Sequence, residues 1–166
     1  MIVVAIVGVL AALAIYGVQR YIANAKTAEA KNSLGQISKD AQSAYAREHM
    51  DNAAPLAPGG TAQVANLLCP DGPPVPKDIP SAEKVQSDPD KEWIDGWKCL
   101  RFSMSEPQYY RYTYDSEQSG ADGTFTALAE GDLDGDTIPS EFKIEAKLTA
   151  GNLFVSPTIA EKDPEE

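Results

Sequence analysis

The chain of 166 residues is poor in the side chains on which most catalytic and metal-binding sites depend. Its one histidine, His49, excludes a cluster of histidine ligands and leaves no second histidine for acid–base work. No Gly-x-Ser-x-Gly motif, phosphate-binding glycine loop or His-Glu-x-x-His motif occurs. The sequence therefore predicts a protein that is not an enzyme.

Cysteine is also scarce, because Cys69 and Cys99 are the only two. They allow at most one bridge, which excludes a disulfide-dense scaffold. The pair can form a disulfide, stay as two buried thiols or bind a metal, although the absence of a Cys-x-x-Cys motif argues against a metal. An exported domain would favour the disulfide, whose loop of about 30 residues would contribute roughly 3–4 kcal/mol to stability.

Positive charge is rare in most of the chain, whose net charge is −11. Residues 1–50 carry five basic and three acidic side chains, whereas residues 51–166 carry nine basic and 22 acidic ones. An acidic body of this kind repels phosphate backbones, so no direct nucleic-acid partner is expected.

A long apolar run is present at the start, where residues 1–18 read MIVVAIVGVLAALAIYGV. As a helix this run is about 27 Å long, close to the hydrocarbon thickness of a bilayer. A signal peptide would open with basic residues and end in a small-residue cleavage site. No basic residue precedes this run, and no such cleavage site follows it. Small residues allow close approach of neighbouring helices: Ala5, Gly8, Ala11, Ala12 and Ala14. The predicted assembly residues are Ile2, Val3, Ile6, Val9, Leu10, Leu13 and Ile15.

Helical periodicity continues beyond the apolar run, with a stripe at Leu34, Ile37, Ala41 and Tyr45. The pattern predicts one stem helix over residues 1–50, about 75 Å long. A helix of that length cannot lie wholly on a body of about 115 residues, whose radius of gyration is about 13 Å. Its apolar half must therefore be covered by lipid or by the same half of neighbouring copies.

The rest of the chain divides by composition into two parts. Residues 51–99 form a connector that holds most of the 12 prolines, with a short helix predicted over 61–68. Residues 100–166 form a head in which apolar and polar residues alternate over 100–104, 110–114, 125–129 and 142–146, and 152–156 adds an edge strand. The predicted fold is α+β, a long N-terminal helix packed through its apolar stripe on a C-terminal antiparallel sheet.

One chemical constellation stands out in the head, the acidic loop at residues 131–136 (GDLDGD). Asp132, Asp134 and Asp136 can supply three oxygen ligands to Ca²⁺, and Ser140 or Glu141 can add another. The loop is not an EF-hand, because Lys143 stands where the bidentate glutamate belongs. The alternative is a solvated turn in which the aspartates accept local backbone hydrogen bonds.

The segment MIVVAIVGVLAALAIYGVQRYIANAKTAEAKNSLGQI resembles the N-terminal helix of type IV pilins and pseudopilins. In that family a short basic leader is removed, the new N-terminal aromatic residue is methylated, and a glutamate follows shortly after. The resemblance implies that this sequence begins just after that glutamate. It departs from the family at Tyr16, where a proline is common. Family members often carry a disulfide in the head, which the resemblance extends to Cys69 and Cys99, and some carry a calcium-binding aspartate loop.

The resemblance implies a subunit that resides in the bacterial inner membrane and is then polymerised by pilus assembly machinery into an extracellular filament of identical copies. Such filaments serve motility, adhesion or surface attachment. Two alternatives remain open from the residues. One is a pseudopilin of type II secretion with a calcium-binding head, and the other is a monomeric, membrane-anchored periplasmic binding module.

Overall fold

A computed structural model describes residues 2–47, 49–50 and 64–164 of the chain. Helix α1 extends from Ile2 to Tyr45, which makes it about 66 Å long. Its alanine-rich sequence has high helix propensity and contains no proline. The most apolar 18-residue window of α1 is 0% buried, and the first buried residue of the helix is Thr27.

The stem helix ends five residues earlier than the predicted residue 50. The N–H of Arg47 bonds to the carbonyl of Ala44, which tightens the last turn, and the Arg47 guanidinium donates to the carbonyl of Cys99. His49–Met50 (β1) then pairs antiparallel with Val64–Ala65 (β2). The helix predicted over 61–68 is wrong for its described residues, because 64–65 are a strand and 66–68 are irregular; residues 61–63 lie outside the described chain.

The head is built on a six-stranded antiparallel sheet. Its strands are Gly72–Val75 (β3), Arg111–Ser119 (β4), Asp122–Gly131 (β5), Ser140–Thr149 (β6), Asn152–Val155 (β7) and Ala160–Lys162 (β8). The order is β3-β4-β5-β6-β7, and β8 pairs with the first half of β6 beside β7. The connector therefore contributes an edge strand, β3, as well as the short helix Gly96–Leu100 (α2).

The core lies between one face of the sheet and the second half of α1, so the predicted α+β architecture is confirmed. Leu34, Ile37 and Ala41 are buried in one cluster with the inward residues of the strands. Tyr45 is also buried, and its hydroxyl donates to the carbonyl of Gly151. Each large apolar side chain buried in this way contributes roughly 1.5–3 kcal/mol.

One predicted strand, over residues 100–104, is wrong. Leu100 ends α2, and Arg101 adopts a left-handed backbone (φ 65°) that turns the chain so that the N–H of Phe102 bonds to the carbonyl of Trp97. The Phe102 ring packs against Trp93, Trp97 and Tyr112. Its burial therefore comes from an aromatic cluster, not from a place in the sheet.

The other predicted strands are present with the expected inward faces. Tyr112 and Tyr114 point into the core from β4, and Tyr110 does so just before this strand begins. The inward residues of β5 and β6 are Phe125, Ala127, Ala129, Phe142, Ile144 and Ala146. The predicted edge strand is β7.

Candidate functional site: a bare apolar stem and an acidic loop

Residues 2–18 of α1 form an apolar surface in which every residue is exposed. Its most apolar 18-residue window has a mean hydropathy of 2.4 and is 0% buried. The helix is long and apolar enough to cross a membrane, and a signal sequence would meet the same criteria. The predicted assembly residues are all 54–78% exposed: Ile2, Val3, Ile6, Val9, Leu10, Leu13 and Ile15.

The two glycines of this half are not required by packing against any other residue that the structure describes. A methyl group added to Gly8 or Gly17 would meet no atom within 4 Å. Nothing inside the described chain requires glycine there. The glycines would, however, let a helix of another molecule approach the stem closely.

The acidic loop joins β5 to β6 and is organised around Asp132, which is 4% exposed. One carboxylate oxygen accepts a hydrogen bond from the N–H of Gly135 (2.7 Å). The other accepts from the Ser81 hydroxyl (2.8 Å) and the N–H of Thr137 (3.2 Å). Burial raises the pKa of Asp132, but these hydrogen bonds outweigh it and bring the pKa below its ordinary value. Asp132 is therefore an ionised group at neutral pH.

Asp134 and Asp136 lie exposed beside Asp132. Oxygen atoms of the three carboxylates are within 4.8 Å of one another, close enough to share one cation. The same groups also act as turn acceptors: Asp134 accepts from the N–H of Asp136, and Asp136 accepts from the N–H of Ile138. The cluster could thus bind a metal ion, and its backbone hydrogen bonds hold the loop in shape.

The other two predicted ligands have different partners. The Ser140 hydroxyl is fully buried and donates to the carbonyl of Gly131 at 2.8 Å. Glu141 pairs with Lys162 on the neighbouring strand β8. The structure therefore brings together the three aspartates, whereas Ser140 and Glu141 bond to Gly131 and Lys162.

The predicted disulfide is present between Cys69 and Cys99 and joins the segment before β3 to α2. Beside it, Trp97 donates its indole N–H to the carbonyl of Pro73, while Trp93 donates to the Ser87 hydroxyl. The bridge and these hydrogen bonds join parts of the connector to one another, and the aromatic cluster packs the connector on Phe102 of the head.

Sequence reasoning missed the junction where the stem leaves the head. The carboxylate of Glu29 accepts a hydrogen bond from the N–H of Tyr109 (2.7 Å) and lies 3.6 Å from the ammonium of Lys84. The ammonium groups of Lys26 and Lys84 lie 4.9 and 4.6 Å from the centre of the Tyr109 ring. These contacts join positions far apart in sequence, and no local motif signals them.

A long N-terminal apolar helix on an antiparallel sheet, with a disulfide in the head, is compatible with the class of pilin-like subunits. Comparison of the chain with protein-family models, with curated proteins and with solved structures gives no match.

Proposed function

We propose that this chain is a structural subunit of a type IV pilus, which polymerises through its apolar stem into an extracellular helical filament. The observation that carries the proposal is the bare half of α1, which is apolar on all sides and entirely uncovered. Such a surface is not stable in water, so it requires either lipid or other apolar helices.

The shape of the subunit favours an open polymer. The stem projects from one end of the head, so the surface that a subunit offers differs from the surface that it receives. Contacts of this head-to-tail kind produce open helical filaments when the rotation does not close. We propose that the subunit first resides in the inner membrane, that pilus assembly machinery extracts it, and that sister stems replace lipid around residues 2–18.

The function is structural and not catalytic in this proposal. The heads form the outer surface of the filament, where their acidic side chains keep it soluble. Motility, adhesion or surface attachment then follow from the filament as a whole.

Electron microscopy of material sheared from cells that express the chain tests the proposal. We expect thin filaments in which the intact chain is the main component. Dispersed particles only, with the chain left singly embedded in the membrane fraction, would contradict the filament and support a monomeric membrane-anchored binding module.

A second candidate is a pseudopilin of type II secretion whose head binds Ca²⁺. The three clustered carboxylates of the acidic loop favour it, because hard cations prefer such oxygen ligands. Filament length in cells separates the two candidates: long surface filaments support the pilus subunit, and short assemblies confined to the periplasm support the pseudopilin.

A further inference from the structure

A belt of aromatic and basic side chains lies between the apolar stem and the head. It consists of Tyr16, Arg20, Tyr21 and Lys26 and is called the collar below. No acidic residue precedes Glu29 in the chain, and Arg20 is the first charged residue. The collar is thus the point at which an uncharged helix becomes a basic one.

The collar surrounds the helix. Successive residues of an α-helix are rotated by about 100°, which places Arg20, Tyr21 and Lys26 at about 40°, 140° and 280° from Tyr16. A protein partner docked on one side of the stem would need a single face. A bilayer contacts a helix from all sides, so this distribution fits lipid.

The spacing also fits a membrane interface. Tyr16 and Tyr21 are 64% and 74% exposed, and no residue is buried by the head before Thr27. Residues 19–26 cover about 12 Å of helix, whereas one headgroup layer is roughly 5–8 Å thick. The collar therefore has room for the headgroups below the head, where Lys26 already contacts Tyr109.

We propose that the collar lies in the headgroup layer of the host membrane and binds anionic phospholipid headgroups. This inference rests on the membrane-resident stage of the proposed function. Tyrosine favours membrane interfaces because it has an apolar ring and a polar hydroxyl, and long cationic side chains extend to the headgroups. Each cation near an anionic surface strengthens the association roughly fivefold. The acidic head is repelled by the same surface, which holds the head above the bilayer.

Depth measurements test where the collar lies. The full chain is reconstituted in nanodiscs of phosphatidylcholine with phosphatidylglycerol, and a nitroxide is placed on one added cysteine, Val9→Cys, Gln19→Cys or Gln36→Cys. Both native cysteines are in the disulfide, so labelling is specific. We expect the label at position 9 to be accessible to oxygen only and the label at position 36 to be accessible to a water-soluble nickel complex. The label at position 19 should be accessible to both reagents at intermediate levels. A Gln19 label as deep as Val9 or as aqueous as Gln36 would overturn the assignment.

Lipid selectivity tests the chemistry. The ratio of phosphatidylglycerol to phosphatidylcholine retained by the full chain is measured by native mass spectrometry. We expect the double variant Arg20→Gln/Lys26→Gln to lose at least tenfold in selectivity, and the matched control Lys39→Gln/Lys98→Gln to retain it. Equal loss in both pairs, or displacement of the lipid by soluble glycerol phosphate, would refute a headgroup site. Filament formation is scored separately, so a correct collar without filaments would refute only the pilus.

Discussion

At the scale of single residues, Gly96 allows the close contact between α2 and the segment just before β3. Its N–H donates to the carbonyl of Asp71, and an added Cβ would lie 2.6 Å from the Asp71 carbonyl carbon and against the Pro70 oxygen. Both obstacles are backbone atoms, which cannot rotate away. We expect Gly96→Ala to lower the free energy of unfolding by at least about 2 kcal/mol, measured by urea denaturation of the full chain in detergent.

Gly35 is the matched control for that substitution. It lies inside α1, where an added Cβ would meet nothing within 4 Å. Alanine loses less backbone entropy than glycine in a helix, so Gly35→Ala should stabilise the protein by roughly 0.5–1 kcal/mol. Equal effects of the two substitutions would show that the close approach at Gly96 has no energetic importance.

The stability of the head should fall at high pH because of three buried tyrosines, Tyr110, Tyr112 and Tyr114. All three are fully buried, and their hydroxyls have no hydrogen-bond partner within the described residues. Burial raises the pKa of Tyr110 to about 12 and raises the pKa of the other two as well. Because the folded state holds the neutral form, this stabilisation is complete below pH of about 10 and is lost as the pH rises through the folded pKa values. We expect tyrosinate absorbance and unfolding to rise together above pH of about 10.

Phenylalanine at the same three positions removes the titrating groups. An unpartnered buried hydroxyl contributes little to stability, so the triple variant should fold at neutral pH with a free energy of unfolding near or above that of the natural chain. Its stability should depend less on pH above about 10. An unchanged alkaline midpoint would assign the transition to other groups.

At the scale of elements, the parts that were predicted correctly are those with long, regular patterns. The stripe from Leu34 to Tyr45 repeats at helical spacing, and β4, β5 and β6 alternate over many residues. These periodicities follow directly from which side of an element is buried. The failures lie where burial has another origin, as for Phe102, which alternates with polar neighbours because it enters a cluster of tryptophans.

The acidic loop was recognised because its aspartates are close in sequence. The contribution of Ser81 was not, since this residue reaches Asp132 across 51 positions. Only the folded chain shows that Asp132 is buried and accepts hydrogen bonds from the loop backbone, while Asp134 and Asp136 remain exposed.

Calcium should stabilise the head through this loop. A ligand that binds only the folded state adds roughly 2.7 kcal/mol to the free energy of unfolding when its free concentration is about 100 times its dissociation constant. We expect the melting temperature of the natural chain to rise with added Ca²⁺ and fall after chelation, and Asp134→Ala to lose this dependence. The measurement is differential scanning fluorimetry of the full chain in detergent.

Asp90→Ala is the control, because Asp90 is an exposed aspartate outside the cluster. It removes the same charge and should retain the calcium response. A melting temperature that does not change on chelation would leave the loop as a turn held by its own hydrogen bonds.

At the scale of the whole molecule, the head sheet offers little for edge-to-edge polymerisation. Its edge strand β3 contains Pro73 and Pro74, which have no N–H to donate. The opposite edge is divided between β7 and β8, with Pro157 in the interval. Short or proline-containing edges prevent sheet extension. The sheet edges therefore favour no polymer of their own, and the filament proposed above depends on the stem.

The stem can be tested without making it less apolar. Gly8→Leu keeps the hydrophobicity that membrane insertion requires, and a Cβ added at Gly8 meets no other part of the described chain within 4 Å. It widens the helix, however, where sister stems would approach closely. We expect the Gly8→Leu chain to enter the membrane normally, to keep the stability of its head, and to yield at most about a tenth of the natural amount of sheared filament by electron microscopy, a loss equivalent to about 1.4 kcal/mol.

Val7→Leu is the neighbouring control, because Val7 lies outside the predicted assembly residues. It also adds apolar volume to an exposed position of the stem, but at a site that already carries a branched side chain. Filament yield should stay within about twofold of the natural chain, because apolar substitutions of similar size cost little when neighbours can adjust. Full filament yield from Gly8→Leu would show that the stems do not pack closely at this glycine. Equal loss from both variants would mean that the contact depends on general volume rather than on the narrow profile at Gly8.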